Sequence, residues 1–196
     1  MNPTPSLALD NITLLTPGGG TLCQGISALV FPEQALLISG ANGSGKTTLL
    51  RALLQMHPLN QGQVHWLAPK NLRGYLPQLQ MTHTHLPFLL SDLIEDQAAA
   101  LKLGLLEERH LRIAWNSASG GERKRALLTR ILLTKPEAII LDEPLNHLDS
   151  ESRLMIVRQV RRYLEEPNAA RIAVIVSHDS SWEDGLGKNM IVKVAL

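Results

Sequence analysis

The sequence predicts an α/β domain with a mainly parallel sheet, an antiparallel N-terminal β subdomain and an inserted helical subdomain at about residues 80–135. Continuous apolar runs at 35–38 and 139–141 are typical of strands buried on both faces of a parallel sheet. Segments with helical periodicity follow these runs, so strands and helices alternate along the chain. The 196 residues, 44% of them hydrophobic, can enclose a sizeable core, and we expect a single domain over residues 1–196.

The first half of the chain contains most of the predicted strands. Residues 6–15 and 26–30 are expected to be strands joined by a turn at the glycines 18–20. We do not interpret those glycines as a dinucleotide-binding motif. Two more short strands are expected at 62–66 and 74–77.

The second half begins with the predicted helical region and then returns to the sheet. After the strand that ends at Asp142, the sequence predicts a helix that stops before Pro167. Two late strands are expected at 172–176 and 190–194. The apolar positions that mark the helix are Leu154, Val157, Val160 and Leu164.

Residues 40–47 have the sequence Gly-Ala-Asn-Gly-Ser-Gly-Lys-Thr, which matches the spacing of a phosphate-binding loop (P-loop) between a strand and a helix. Its glycines permit backbone conformations in which successive N–H groups converge on phosphate oxygens. Lys46 is predicted to place its charge at the β- and γ-phosphates, and Thr47 to offer its hydroxyl to Mg²⁺. Asn42-Gly43 could instead form a hairpin turn, but no alternating strand follows it.

A pair of adjacent carboxylates, Asp142 and Glu143, follows the apolar run at 139–141. An apolar strand that ends in acidic residues could simply be leaving the core for water, but the loop upstream makes this improbable. Asp142 is predicted to hold Mg²⁺ through water, and Glu143 to polarise the attacking water as a general base. The two motifs together predict a P-loop nucleoside triphosphatase.

A third motif, Ser119-Gly120-Gly121-Glu122, stands at the start of a predicted helix. The serine and the glutamate form a helix capping box in which each side chain satisfies a free backbone amide. The glycine pair also exposes amides to an incoming anion, so the same cap could bind a γ-phosphate brought by another subunit. Along this helix we expect a buried stripe and a set of cationic positions. The stripe is Leu127, Leu128, Ile131 and Leu132, and the cations are Arg123, Lys124, Arg125 and Arg130.

These motifs, in this order, resemble those of the ATP-binding cassette family. The resemblance extends from about Leu7 to Leu196, and six successive motifs leave little room for coincidence. The matching segments are 40–48 (Walker A), 75–78 (Q-loop), 118–122 (signature), 139–143 (Walker B), 145–149 (D-loop) and 174–179 (H-loop).

The resemblance implies a site that uses ATP and Mg²⁺. Glu143, His178 and Gln78 would be catalytic, with His178 at the γ-phosphate and Gln78 reporting nucleotide state to a neighbouring protein. Thr47, Gln78 and Asp142 would hold the metal. In this family two cassettes pack head to tail, so that the Ser119 segment of one chain covers the ATP of the other. The implied nucleotide-binding residues are Gly40, Asn42, Gly43, Ser44, Gly45, Lys46, Thr47, Thr48, Ser119, Gly120, Gly121 and Asp149.

Three departures from the family pattern stand out. The aromatic residue that stacks on adenine is absent near residues 16–19, which should weaken nucleotide affinity or relax the preference for adenine. The signature begins with Ala118 and ends with Glu122, but it keeps the serine and both glycines. Leu145 replaces the small or polar residue that commonly follows the Walker B proline.

Two function classes remain open. The first is the ATPase subunit of a membrane transporter, acting as a homodimer or beside a similar cassette and driving partner permease subunits. Within this class the segment 74–78 is similar to metal-ion importer ATPases, and the compactness is similar to haem exporter ATPases. The second class is a soluble cassette ATPase acting on ribosomes, DNA or a protein assembly, and residues 146–149 resemble the D-loop of ribosome-associated members. Members of the second class usually carry two cassettes, whereas this chain has one.

Charge and hydropathy indicate which partners and which cellular location to expect. A formal net charge of +1 gives no reason to expect direct nucleic-acid binding. No apolar run approaches the roughly 18 residues that cross a bilayer, and the N-terminus lacks a cationic signal sequence. We therefore expect a cytoplasmic protein held at the membrane by partners, with the apolar segment 86–94 as a docking candidate.

Two remaining features carry little functional information. The lone Cys23 fits a reducing compartment. His83-Thr84-His85 has no cysteine or carboxylate nearby at a spacing that would complete a metal site.

Overall fold

The computed structural model describes residues 4–16, 18–78 and 88–196, which form two sheets with helices packed around them. The first sheet is antiparallel, has the order β2-β1-β4, and consists of β1 (Leu7–Leu15), β2 (Thr21–Val30) and β4 (Gln61–Trp66). The second is parallel and has the order β5-β6-β7-β3-β8. Its strands are β3 (Ala35–Ser39), β5 (Arg73–Leu76), β6 (Ala138–Asp142), β7 (Ile172–Val176) and β8 (Ile191–Ala195). The predicted α/β class, with its parallel sheet and N-terminal antiparallel sheet, is confirmed.

The helices lie between these strands in the chain. Three short 3₁₀ segments, Lys70–Leu72, Leu90–Leu93 and Lys188–Met190, supplement them. The helices are α1 (Lys46–Leu53), α2 (Gln97–Leu103), α3 (Glu108–Leu111), α4 (Gly120–Leu133), α5 (Ser150–Leu164) and α6 (Ser181–Leu186).

The parallel sheet is buried on both faces, which explains the continuous apolar runs. In β3, Leu36 and Ile38 face a core shared with α1 and the antiparallel sheet. Ala35 and Leu37 face the opposite core, which includes side chains of α4, α5 and α6. Because successive side chains of a strand point to opposite faces, both sets must be apolar.

The helix-rich segment has a small apolar core of its own, as the predicted inserted subdomain requires. Leu90 and Ile94 of the candidate docking segment belong to this core, together with Ala100 of α2 and Ala126 of α4. Leu89, in contrast, is exposed. The rest of that candidate segment, and the His83-Thr84-His85 cluster, lie outside the described residues.

Three details differ from the sequence predictions. Strand β2 begins at Thr21 instead of residue 26, because it pairs with β1 almost to the connecting turn. In α5, Leu154 is 53% exposed, since it lies about 200° around the helix from the buried Ile156. In α4, Lys124 and Arg125 are buried, whereas the predicted stripe members Leu127 and Ile131 are only partly buried.

Candidate active site

The loop between β3 and α1 has the geometry that its glycines predict. Gly43 and Gly45 have φ angles of 83° and 100°, in the left-handed region that glycine adopts readily. A Cβ atom on Gly45 would lie 2.5 Å from Cγ of Leu22, so a larger residue would displace the leucine side chain. Lys46 begins α1, and its Nζ donates to the carbonyl oxygens of Gly40 and Ala41, both at 2.9 Å.

This loop forms one wall of a cavity of about 570 Å³, within the usual range for small-molecule sites. The cavity brings together residues from five of the six motifs, because the carboxyl ends of adjacent parallel strands meet at one edge of the sheet. Its lining residues are Leu22, Asn42, Gly43, Gly45, Lys46, Thr47, Thr48, Gln78, Glu143, Asn146, His147 and His178. Nine of the predicted site residues are thus assembled in one place.

Gly40, Ser44 and Asp142 lie beside the cavity but do not line it. Gly40 is packed tightly, because a Cβ atom there would lie 2.6 Å from the backbone oxygen of Leu196 and 2.7 Å from Oγ of Ser44. Among the described residues, the buried Oγ of Ser44 has no hydrogen-bond partner. An unpaired buried hydroxyl is costly, which is consistent with a ligand that completes it.

Glu143 and His178 face each other across the ends of β6 and β7. Nδ1 of His178 lies 3.4 Å from the carboxylate of Glu143. The glutamate side chain is 10% exposed and the histidine side chain 62%, so the acid is sheltered while the imidazole reaches solvent. Glu143 has a φ of 48°, and its backbone N–H donates to the carbonyl oxygen of Val176 at 2.9 Å.

Asp142 is the most confined acid of the site. It is 3% exposed, and its Oδ1 has no hydrogen-bond partner among the described residues. Burial raises the pKa of its carboxyl, and the charge of Glu143 raises it further. A buried carboxylate oxygen without a partner fits a hard divalent cation such as Mg²⁺.

The predicted cap of α4 is present. Oγ of Ser119 accepts from the backbone N–H of Glu122 at 3.2 Å, and the Glu122 carboxylate accepts from the Ser119 N–H at 2.7 Å. Around Gly120 a Cβ atom would meet nothing within 4 Å, whereas Gly121 is buried against Ser152. Gly120 is therefore the open member of the glycine pair.

The cap and the phosphate-binding loop do not meet within one chain. Ser119 and Asp149 line a second cavity of about 570 Å³ that shares no lining residue with the first. Asp149 caps α5, with its carboxylate accepting from the backbone N–H and the hydroxyl of Ser152 at 2.8 and 2.9 Å. Ser119 and Asp149, both predicted to bind nucleotide, therefore lie on a different surface from the Lys46 loop.

Several site residues were not singled out from the sequence. Leu22 reaches the cavity from β2 of the antiparallel sheet, near the expected place of the missing aromatic residue. Asn146 and His147 line it from the segment after β6. Lys124 lies beneath that segment, on the same helical row as the buried Leu128.

Comparison with known proteins identifies the family. Residues 23–146, more than half of the chain, match the family model for ABC transporters. The chain belongs to the ATP-binding cassette family. It is an ATP-binding and ATP-hydrolysing subunit of an ABC transporter, the first of the two function classes that the sequence left open.

Two curated relatives illustrate the similarity. The zinc import ATP-binding protein ZnuC of Pasteurella multocida is 35% identical over 184 residues, which cover 89% of this cassette and 68% of the relative. ZnuC of Haemophilus influenzae is 33% identical, with coverage of 91% and 68%. The cassette thus spans about two thirds of the length of these relatives.

Solved structures agree on the fold. A nucleotide-free cassette from an ABC transporter superposes with a TM-score of 0.75 at 18% identity, covering 98% of this chain and 88% of that one. A dimeric cassette in a post-hydrolysis state with ADP and phosphate gives a TM-score of 0.71 at 21% identity, covering 96% of this chain and 94% of that one.

No helix in the described ranges is long and apolar enough to cross a membrane.

Proposed function

We propose that this cassette hydrolyses ATP at composite sites between two head-to-tail copies, and that the cycle drives a permease importing a divalent metal ion of the zinc class. The separation of the two half-sites carries this proposal. Lys46, Glu143 and His178 surround one cavity, while Ser119 and Asp149 line another. A second copy, turned around, would bring its cap to the first cavity.

Binding begins at the phosphate loop. The ammonium of Lys46, which the two loop carbonyls hold at 2.9 Å, would turn towards the β- and γ-phosphates. The amides around Gly43 and Gly45 and the positive end of α1 favour the same anion. When bound, Mg²⁺ would neutralise phosphate charge, and Thr47, Gln78 and Asp142 are the residues that would hold it.

Hydrolysis then depends on Glu143. Its carboxylate would orient a water and accept a proton as the water oxygen attacks the γ-phosphorus. The bond to the β-phosphate oxygen breaks, and ADP and phosphate form. His178, 3.4 Å from this carboxylate, would contact the γ-phosphate, and Gln78 would sense whether it is present. The burial of Glu143 favours this chemistry because it limits access of bulk water.

The cap of the second copy would close the site. Ser119 and Gly120 stand at the N-terminus of α4, a helix of 14 residues whose amides and dipole attract a phosphate group. Asp149 lies on the same surface. After hydrolysis the γ-phosphate no longer bridges the two copies, so the contact weakens and the dimer reopens.

The cargo and setting are inferred from the relatives. The ZnuC proteins carry zinc import in their names, and the segment 74–78 resembles that of metal-ion importer ATPases. Partner permease subunits would provide the membrane-spanning part and hold the cassette at the cytoplasmic face. The exposed Leu89, beside the helical core, belongs to the candidate docking segment.

Replacement of Glu143 by glutamine tests the composite site. The variant should bind ATP with Mg²⁺, lose turnover by roughly 100-fold or more because the base is absent, and accumulate as a dimer. Calorimetry, a phosphate-release assay and size-exclusion chromatography measure the three properties. Lys46→Ala is the matched control, which should bind little ATP and remain monomeric. Hydrolysis at the wild-type rate by Glu143→Gln would refute the base assignment.

The cargo is tested in cells that lack the native copy of this chain. Uptake of radioactive zinc should fall, and the wild-type chain should restore it whereas Lys46→Ala should not. Unchanged zinc uptake in the deletion strain would contradict zinc as the cargo. The tagged chain can also be purified from its native cells in mild detergent. If ribosomes or a soluble assembly copurify with it and a multispan membrane protein does not, the second function class is favoured.

A further inference from the structure

Lys124 is a charged side chain buried within the protein. It lies on α4, is 6% exposed, and no carboxylate of the described residues lies within ion-pair distance of its ammonium. Burial lowers the pKa of this ammonium, as desolvation of a cation requires. Such a placement is unfavourable unless specific contacts compensate it.

The contacts of Lys124 go to the catalytic segment of the same chain. Its Nζ donates to the backbone oxygen of Glu143 at 3.2 Å and to that of Asn146 at 2.6 Å. These two residues flank the turn that follows β6 and leads to α5. The lysine therefore fastens both ends of the turn to the helix below it.

The backbone at Glu143 needs this support. Its φ of 48° places a residue with a side chain in the left-handed region, which persists only when surrounding contacts hold it. Three hydrogen bonds do so. The Glu143 N–H donates to the carbonyl oxygen of Val176 at 2.9 Å. The Glu143 carbonyl oxygen accepts from Nζ of Lys124 at 3.2 Å and from the N–H of Asn146 at 3.4 Å. The backbone conformation in turn sets where the carboxylate points.

We propose that Lys124 is a positioning residue for ATP hydrolysis, which holds Glu143 in its left-handed conformation and ties the carboxylate to α4. The inference rests on the proposed role of Glu143. Helix α4 begins at the Ser119 cap, little more than one turn before Lys124, and that cap would sit on the ATP of the other copy. Docking of the cap at one site is thereby linked to the general base of the other.

The neighbouring cation supports the same arrangement. The Arg125 guanidinium donates to Oγ of Ser152, whose hydroxyl donates in turn to the Asp149 carboxylate. Two consecutive buried cations of α4 thus hold the segment from Glu143 to Ser152 at both of its ends. Neither contact was visible in the sequence, where both residues were expected among the cationic positions.

Substitution of Lys124 by methionine removes both hydrogen bonds and keeps an unbranched side chain. We expect kcat to fall by roughly 30- to 100-fold, since displacement of a catalytic group by about 1 Å has an effect of this size. The KM and the dissociation constant for ATP should stay within about twofold, because the phosphate loop is untouched. Lys124→Arg, which keeps the charge and its donors, should recover part of the rate.

Two controls separate positioning from general damage. Arg130→Met removes an exposed cation from the same helix and should leave kcat unchanged. In a Glu143→Gln background, Lys124→Met should change the residual single-turnover rate by less than about twofold, because a missing base has nothing left to position. A loosened structure would reduce that residual rate further.

The outcomes are distinct. A folded Lys124→Met variant with kcat within about twofold of wild type would overturn the inference, as would multiplicative losses in the double variant. If Lys124→Met does not fold by circular dichroism, Lys124→Gln is measured by the same criteria. Wild-type turnover in Glu143→Gln alone would instead refute the proposed function, whatever Lys124 does.

Discussion

Replacement of Asp142 by asparagine should stabilise the nucleotide-free cassette while it weakens the response to Mg²⁺ and ATP. The carboxylate is 3% exposed, and burial followed by the charge of Glu143 raises its pKa above the ordinary value of 3.8. The folded state therefore holds this proton at a pH where the unfolded chain has released it. By linkage, this group lowers stability as the pH rises from about 3.8 through the folded-state pKa, and the loss persists at neutral pH.

The magnitude follows from the unpaired oxygen. A buried polar atom without a partner costs about 1–3 kcal/mol, as Oδ1 of Asp142 does here. Asparagine keeps polar atoms at the same place, so only the charge-dependent part, about 1 kcal/mol, should be regained. For a domain of this size, about 1 kcal/mol corresponds to a rise in melting temperature of about 2–4 °C.

Thermal unfolding in EDTA between about pH 4 and 8 measures the effect. The advantage of Asp142→Asn should be largest near neutral pH and shrink towards pH 4, close to the ordinary pKa of 3.8, where the unfolded chain also holds much of this proton. With Mg²⁺ and ATP the wild type should gain more stability than the variant, because a ligand stabilises the state that binds it. Asp10→Asn, at an exposed position, is the control. A variant that melts at or below the wild-type temperature at pH 7 in EDTA would refute the reasoning.

Two further substitutions test the mouth of the site and the antiparallel sheet. Leu22→Tyr should place a ring beside the nucleotide cavity and tighten ATP binding by roughly 5- to 150-fold, the equivalent of about 1–3 kcal/mol of stacking, as measured by calorimetry; unchanged affinity would place the base elsewhere. Gly62→Ala should lower the denaturant midpoint by the equivalent of about 2 kcal/mol or more, because Gly62 has a φ of 87° and a Cβ atom would lie 2.4 Å from a backbone oxygen of β1. A shift below about 0.5 kcal/mol would show that β1 and β4 adapt easily.

Local motifs in the sequence were sufficient for the phosphate loop and the two acids. A loop between a buried strand and a helix is built from neighbouring residues, so Gly43, Gly45 and Lys46 could be assigned from spacing alone. The meeting of Glu143 with His178 was also foreseeable, since both follow apolar strands of one parallel sheet. The capping box at Ser119 depends on residues three apart and needs no tertiary information.

Residues that reach the site from distant elements could not be found in this way. Leu22 comes from the antiparallel sheet, and only the packing of that sheet against α1 brings it to Gly45. Lys124 was expected only among the cationic positions of its helix, because a lysine is rarely buried and its partners, two backbone oxygens, cannot be recognised from residue types. The exposure of Leu154 likewise depends on which face of α5 the rest of the protein covers.

The sequence by itself determined the chemistry of this cassette, because phosphate binding and water activation require particular residue types at fixed short spacings. The tertiary structure decided which of these groups share a cavity and which do not. It placed the Ser119 cap and the Lys46 loop on separate surfaces, and it buried Lys124 under Glu143. The distances between such groups depend on strand order and helix packing. Strand order and helix packing follow from the burial of whole apolar faces, which no short motif encodes.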